Sequence, residues 1–382
     1  MPTSIPLSRP DITQREIDAV VDVLNCDTLS IGPRAVEFEM LCARVAGRRH
    51  GIAVSSGTAG LHCAMIAAGI SAGDEVITTP FSFVASANCI LFVGAKPVFV
   101  DVDPLTLNLD LDKVAAAITP RTRAIVGVEV FGHPGGMPEL EQLAQKNELA
   151  LIEDACEGFG GYAGRRAIGS FGRAGVFAFY PNKQITTGEG GMIVTDDDAF
   201  AAVCRSLRNQ GRDGMAWLAH QRLGYNYRLS EINAALGVAQ VERLEEILEA
   251  RRRVAHLYMD RLMTSRFLIL PTLTSDDVMS WFVFVVRLND LFEPGDRDAL
   301  MQMLREEGIG CNNYFPPIHL QPYMTEQFGF KPGSFPVCEY VSARTLALPF
   351  FSRMTSQQVD RVCEVLQNSI ERLLVKRKGR FS

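Results

Sequence analysis

The chain has 382 residues, with 38 Lys or Arg against 44 Asp or Glu, a formal net charge of −6. That balance, with no strongly basic region, argues against a dedicated nucleic-acid binder. The 47% apolar and 21% charged composition is that of an ordinary globular chain, long enough for roughly two to three domains. The longest fully apolar stretches, such as Trp281–Val286, fall far short of the roughly 18–20 residues of a membrane span. The opening MPTSIPLSRPDITQRE lacks the apolar core of a signal peptide. Nine scattered cysteines without a CxxC pair and six dispersed histidines form neither a disulfide framework nor a metal-ligand spacing. A cytoplasmic protein with no metal and no membrane partner is therefore expected.

Thr13 and Glu16 form a capping-box pattern, followed by Ile17, Val20, Val21 and Leu24 at helical spacing. From 50 to 195 short apolar runs alternate with helical patterns. Strands are predicted at 52–56, 75–80, 97–103, 124–132 and 149–155, helices near 59–69, 82–93, 110–118 and 138–147, and two further strands at 175–180 and 191–196. This alternation reads as an α/β sheet with ligand-facing loops at the strand ends. After Tyr227 a long helical stretch over about 230–263 leads to a smaller second domain. That domain has a strand at 280–288, a helix near 296–307 and a final helix opened by Thr355 and Gln358, with Val359, Val362, Leu366 and Ile370 on one face. The Pro- and aromatic-rich segment 311–336 is predicted to be irregular. The expected division is a large domain over 1–250 and a small α+β domain over 251–382.

Three stretches carry residue types suited to chemistry. Ser55-Ser56-Gly57-Thr58-Ala59-Gly60 lies between a strand and a helix. There glycine admits close backbone approach and free helix-N-terminal amides bind phosphate; a plain turn capped by Thr58 is the alternative. Ile152-Glu153-Asp154-Ala155-Cys156-Glu157 ends a buried strand, where a carboxylate needs a partner, either a protonated heterocycle nitrogen or an arginine of the protein. Phe179–Gly191 places Lys183 in a Gly/Thr-rich loop between two apolar strands. Most lysines are solvated surface groups, but a partly desolvated one is the nucleophile a Schiff base requires. A fourth stretch, Gly158 to Ala163, fits G-x-G-x-x-A. It does not run on into a helix and follows the fifth predicted strand, so it is not a dinucleotide fingerprint.

In this order the motifs resemble those of the nucleotide-sugar aminotransferases (the DegT/StrS group), pyridoxal 5'-phosphate (PLP) enzymes of the type I aminotransferase fold. The likeness runs through SSGTAGLH, TTPFSFVASAN, EDACEGFG, FYPNKQITTGEGGMIVTD, GYNYRLSEINAALG, YFPPIHLQPY and LALPFFSRMT, essentially the whole chain. It implies a large domain with a mainly parallel central sheet flanked by helices plus a smaller α+β C-terminal domain. Within the group the chain resembles the perosamine-synthase-like branch, which transfers an amine to C4 of a GDP-linked 4-keto-6-deoxy sugar.

Carried onto this sequence, the resemblance makes Lys183 the Schiff-base lysine and Asp154 the carboxylate on the pyridine nitrogen. Gly57, Thr58 and Ala59 become the phosphate turn, and Phe83 the stacking aromatic. Asn226 is the residue that reaches the phosphate from a neighbouring subunit, with Arg228 its nearest competitor, so a homodimer with shared sites is implied. Glu157 stands near the ring hydroxyl, where glutamine or histidine is frequent and where a carboxylate repels that oxygen unless one of them is protonated. Ala178 replaces a serine that many members place on the phosphate. His319 is expected either to line the sugar pocket or to be structural. The activity implied is ping-pong transamination from glutamate to a nucleotide-linked keto sugar. The alternatives are a UDP- or dTDP-linked sugar or a cyclitol as acceptor, or a non-catalytic PLP-binding regulator. C3 dehydration is disfavoured because relatives with that chemistry carry histidine at the position of Lys183.

Overall fold

The computed structural model describes residues 4–213, 219–273 and 276–378. Its main sheet is built from β1 (His50–Val54), β2 (Glu75–Thr78), β3 (Lys96–Phe99), β4 (Thr122–Val128) and β5 (Ala150–Asp154). After a short ribbon of β6 (Tyr162–Ala163) and β7 (Arg166–Ala167), β8 (Ala174–Ala178) and β9 (Gly191–Thr195) complete it. The order across the sheet is β1-β9-β8-β5-β4-β2-β3. Only β9 runs against its neighbours; the other pairings are parallel. Helices on both faces leave these strands almost wholly buried, which is why they read as continuous apolar runs.

The predicted strands at 97–103 and 124–132 are longer than the observed ladders, which stop at Phe99 and Val128. Apolar character reports burial, not pairing. Val100, Val102, Val130 and Phe131 remain buried in loops that leave the C-terminal edge of the sheet.

The N-terminal helix Gln14–Leu24 has the expected capping box, but its apolar stripe faces outward. Ile17, Val21 and Leu24 are 48%, 46% and 57% exposed, whereas Glu16 is buried. Glu16 Oε1 accepts from Arg243 Nη1 at 2.7 Å and Gln240 Nε2 at 2.8 Å. A buried ion pair thus overrides the hydrophobic pattern and turns the apolar face to the surface.

The predicted 230–263 helix is two helices, Glu231–Glu242 and Leu244–Leu262, meeting at Arg243. The expected division at 250 falls inside the second. Beyond it β10 (Leu268–Ile269), β11 (Phe284–Leu288) and β12 (Thr345–Leu348) form an antiparallel sheet. The final helix Ser356–Lys378 buries Val359, Val362, Leu366 and Ile370 as predicted. Segment 311–336 is less irregular than expected: Pro322 opens a helix to Phe328, since proline's missing N–H costs nothing at a first helical position. No helix of the described residues is long and apolar enough to cross a membrane.

One buried carboxylate ties the N-terminal helices to the body. Glu231 accepts the backbone N–H groups of Gly32 (3.0 Å), Arg34 (2.7 Å) and Ala35 (3.0 Å). It thereby caps helix Pro33–Val45, whose own cap residue, Gly32, has no side chain to do so. Glu231→Ala strands these donors and is expected to lower unfolding free energy by about 3 kcal/mol, measured by urea denaturation.

Candidate active site

At the C-terminal ends of β4, β5 and β8, where α/β sheets place their ligands, lies a cavity of about 700 Å³. Its walls bring together Gly57, Thr58, Phe83, Asp154, Glu157, Ala178 and Lys183 from separate stretches, and residues 312–316 close it from the C-terminal part.

Lys183 is positioned by the loop between β8 and β9. Its backbone N–H donates to Tyr180 O (2.9 Å), and Thr187 N and Thr186 Oγ1 both bond to Phe179 O at 3.0 Å. Gln184 Nε2 fastens the loop to Glu157 O (2.6 Å) and Ser280 O (2.9 Å). The lysine side chain is 12% exposed, with Nζ 3.6 Å from Glu157 Oε1 and 3.9 Å from the centroid of the Phe282 ring.

Asp154, the last residue of β5, is 4% exposed. Its Oδ2 accepts from Ser86 Oγ at 2.6 Å and its Oδ1 from Cys156 N at 3.3 Å. These neutral bonds orient the carboxylate without neutralising it. Among the described residues no arginine pairs with it, so the alternative of an internal arginine partner does not apply there. Burial pushes the Glu157 carboxyl above its usual range and Lys183 offsets part of that; Glu157 Oε2 also accepts from Phe131 N at 2.8 Å.

Helix Gly57–Ala67 points its N-terminus into the cavity, and its cap is Ser56, not Thr58: Ser56 Oγ accepts from Ala59 N at 3.1 Å. The first N–H groups of a helix have no acceptor within it, which leaves the Gly57 and Thr58 amides and the Thr58 side chain for a ligand. A Cβ on Gly57 would lie 2.7 Å from Ala178 Cβ and 2.8 Å from Cys156 Sγ, so the turn needs glycine to pack this closely. An anion-binding helix end, a ring-flanking aromatic, a desolvated amine and an oriented carboxylate at one cavity are the parts a phosphorylated pyridine aldehyde requires.

Two expected residues stand elsewhere. His319 is completely buried; its Nε2 lies 3.1 Å from Glu339 Oε1 and its ring packs edge-on against Phe335. It is absent from the cavity wall, and aromatic packing in the Pro-rich segment explains its placement. Asn226 is likewise outside its own chain's cavity, bridged to Asn209, while Arg228 Nη1 donates to Asn209 Oδ1 at 3.1 Å. The sequence reading missed Ser86, Gln184, Phe282, Asn182 and Tyr314. Ser86, Asn182, Gln184 and Tyr314 stood as polar residues within the quoted motifs, and Phe282 stood outside them.

The site is that of a PLP-dependent aminotransferase. The chain belongs to the DegT/DnrJ/EryC1/StrS aminotransferase family, which it matches over residues 10–367. It is 36% identical over 378 residues to the spore coat polysaccharide biosynthesis protein SpsC of Bacillus subtilis, covering 96% of this chain and 97% of that one. Among solved structures it is similar to DesV of S. venezuelae, with 31% identity, a TM-score of 0.89 and coverage of 96% and 98% of the two chains. It is also similar to the PLP form of the sugar aminotransferase Spr1654 of Streptococcus pneumoniae, with 25% identity, a TM-score of 0.92 and coverage of 97% and 100%. PLP is the cofactor and sugars are the substrate class of the family.

Ser86→Ala removes the hydroxyl that orients Asp154 and is expected to weaken PLP binding about fivefold, the equivalent of one hydrogen bond of about 1 kcal/mol. An absorbance titration of the apoprotein with PLP measures it.

Proposed function

We propose that the protein transfers the amino group of glutamate to C4 of a nucleotide-linked 4-keto-6-deoxy sugar, GDP-linked as in the perosamine-synthase-like branch, making an amino sugar for polysaccharide or glycoside assembly. The observation that carries the sugar reading is the chemistry of the cavity wall. Ser82, Tyr180, Asn182, Asn312, Asn313 and Tyr314 are neutral hydrogen-bonding groups suited to a polyol, and the Oδ1 of Asn182, next to the lysine, is buried without a donor among the described residues.

PLP, when bound, supplies an electron sink for the pair left as the donor's α-carbon loses its proton. The protein's residues do the rest. Asp154 holds the proton on the pyridine nitrogen, and Phe83 flanks the ring. The amides of Gly57 and Thr58 with the Thr58 hydroxyl would hold the phosphate; the Ala59 amide is taken by Ser56 Oγ, so Ala59 does not serve as expected, and Ala178 contributes no hydroxyl there. With PLP bound, the Lys183 amine would take the proton from the donor's α-carbon and carry it as general base and acid. Glu157 faces that amine and the ring hydroxyl, and its raised affinity for a proton relieves the repulsion between a carboxylate and that oxygen.

Among the described residues of the cavity wall Lys183 is the only cation, yet the cofactor phosphate and the glutamate carboxylates are all anionic. A second copy supplies the further donor: Asn226, or in its place the charged Arg228, reaches into the partner's site. The exposed apolar faces of the two N-terminal helices, with Ile17, Val21, Leu24, Val36 and Met40, are surfaces for that association.

Lys183→Ala is expected to abolish amino transfer while still binding pyridoxamine phosphate; more than trace turnover contradicts the assignment. Mixing inactive Lys183→Ala subunits with Asn226→Ala subunits should restore activity, because one site of the mixed dimer then has both residues. Failure of the mixture, with exchange confirmed by native mass spectrometry, contradicts the shared site. Screening GDP-, UDP- and dTDP-linked keto sugars and keto cyclitols tests the acceptor.

A further inference from the structure

The mechanism above makes no use of Glu129. This residue directly follows β4, is completely buried, and neither of its side-chain oxygens meets an N–H or hydroxyl donor among the described residues. A second buried carboxyl lies beside it: Glu153 is in register with Gly127, two residues before Glu129, and its charge bears on Glu129. Two carboxylates in contact away from water cannot both be charged, so the pair must hold a proton. The donors around it decide where. Glu153 accepts Gly169 N at 2.6 Å and Phe171 N at 2.8 Å. Arg48, bonded to the carbonyls of Gly169, Phe171 and Gly172, adds a favourable charge on the same side. Glu129 has none of these, so it keeps the proton and donates it to Glu153.

The pair sits behind both carboxyls that face the cavity. Glu153 immediately precedes Asp154 in β5, and Val128 stands in register with Asp154. Two residues past Glu129, Phe131 N donates to Glu157 Oε2. We propose that Glu129 is a positioning residue for amino transfer, a neutral acid whose shared proton clamps the ends of β4 and β5 so that Asp154 and Glu157 keep their places. The proposal rests on the roles given above to those two residues.

The ionisable groups recorded against Glu129 are Glu153 and Asp154, both acidic; the nearest cation, Arg48, faces Glu153. Burial and the neighbouring charges raise the Glu129 carboxyl well above its ordinary range. The folded chain therefore holds a proton that the unfolded chain releases. Stability from this group is complete below the ordinary carboxylate range and falls, tenfold in the folding constant per pH unit, until the folded pair ionises. Glu129→Gln keeps a donor to Glu153 and cannot ionise, so this slope should vanish.

The test uses the holoenzyme. Infrared spectra at neutral pH should show a protonated-carboxyl absorption in the wild type that is missing in E129Q. Urea unfolding across pH should show wild type falling relative to E129Q by tenfold per unit. Glu129→Leu, which has no donor, should weaken PLP binding about fivefold, and E129Q should restore it. Identical spectra, parallel pH profiles or normal PLP affinity in E129L overturn the proposal. If E129Q does not fold, Glu157→Gln, which removes the other raised carboxyl at the site, must retain the absorption; its loss there overturns the proposal. None of these readouts uses substrate turnover, so failure of the acceptor assignment leaves them unchanged.

Discussion

The structure is organised around one costly arrangement: a nearly buried amine and two buried carboxyls around the same cavity, with a cofactor to fit between them. Lys183 and Glu157 form a close ion pair, but among the described residues Asp154 is met by neutral groups, a hydroxyl and an amide. A buried carboxylate held by neutral donors alone carries unspent electrostatic attraction for a cation. A protonated pyridine nitrogen would supply that cation, which is how these residues fit PLP.

The surrounding fold serves to keep Lys183 from pairing with Asp154. Asp154 ends β5, whereas Lys183 lies in a loop between β8 and β9, so a rigid sheet separates their attachments. The lysine loop cannot relax toward Asp154, because Gln184 and Thr186 bond it to backbone on either side. Behind the sheet edge a second acidic pair, Glu129 and Glu153, stays within a low net charge by sharing a proton. The ends of β4 and β5 thus bear acids at successive positions without flying apart.

Much of this was legible because the site lies in loops directly after apolar strands, and such loops carry their chemistry in contiguous motifs. EDACE and NKQITTGEGG name Asp154, Glu157 and Lys183 without a structure. Ser86, Gln184 and Phe282 escaped because their roles arise from contacts between distant segments, as in the bond from Ser86 to Asp154 across 68 positions. The exposed stripe of the first helix shows a different limit. Periodicity marks an apolar face but not what covers it, and there the buried partner of the helix is the Glu16–Arg243 pair. Of the two expectations for His319, its burial against Phe335 fits the structural one: a polar residue in an aromatic-rich segment can serve packing as readily as binding. Strand ends were overrun because residues below the cavity are buried without being paired.

The central claim is that Lys183 and Asp154 hold PLP ready to accept an amino group from glutamate. The most direct measurement is the absorbance spectrum of the freshly purified protein before and after addition of glutamate. A yellow band from lysine-bound cofactor that bleaches to the pyridoxamine form is the predicted result. No band after reconstitution with PLP, or a band that glutamate leaves unchanged, would contradict it.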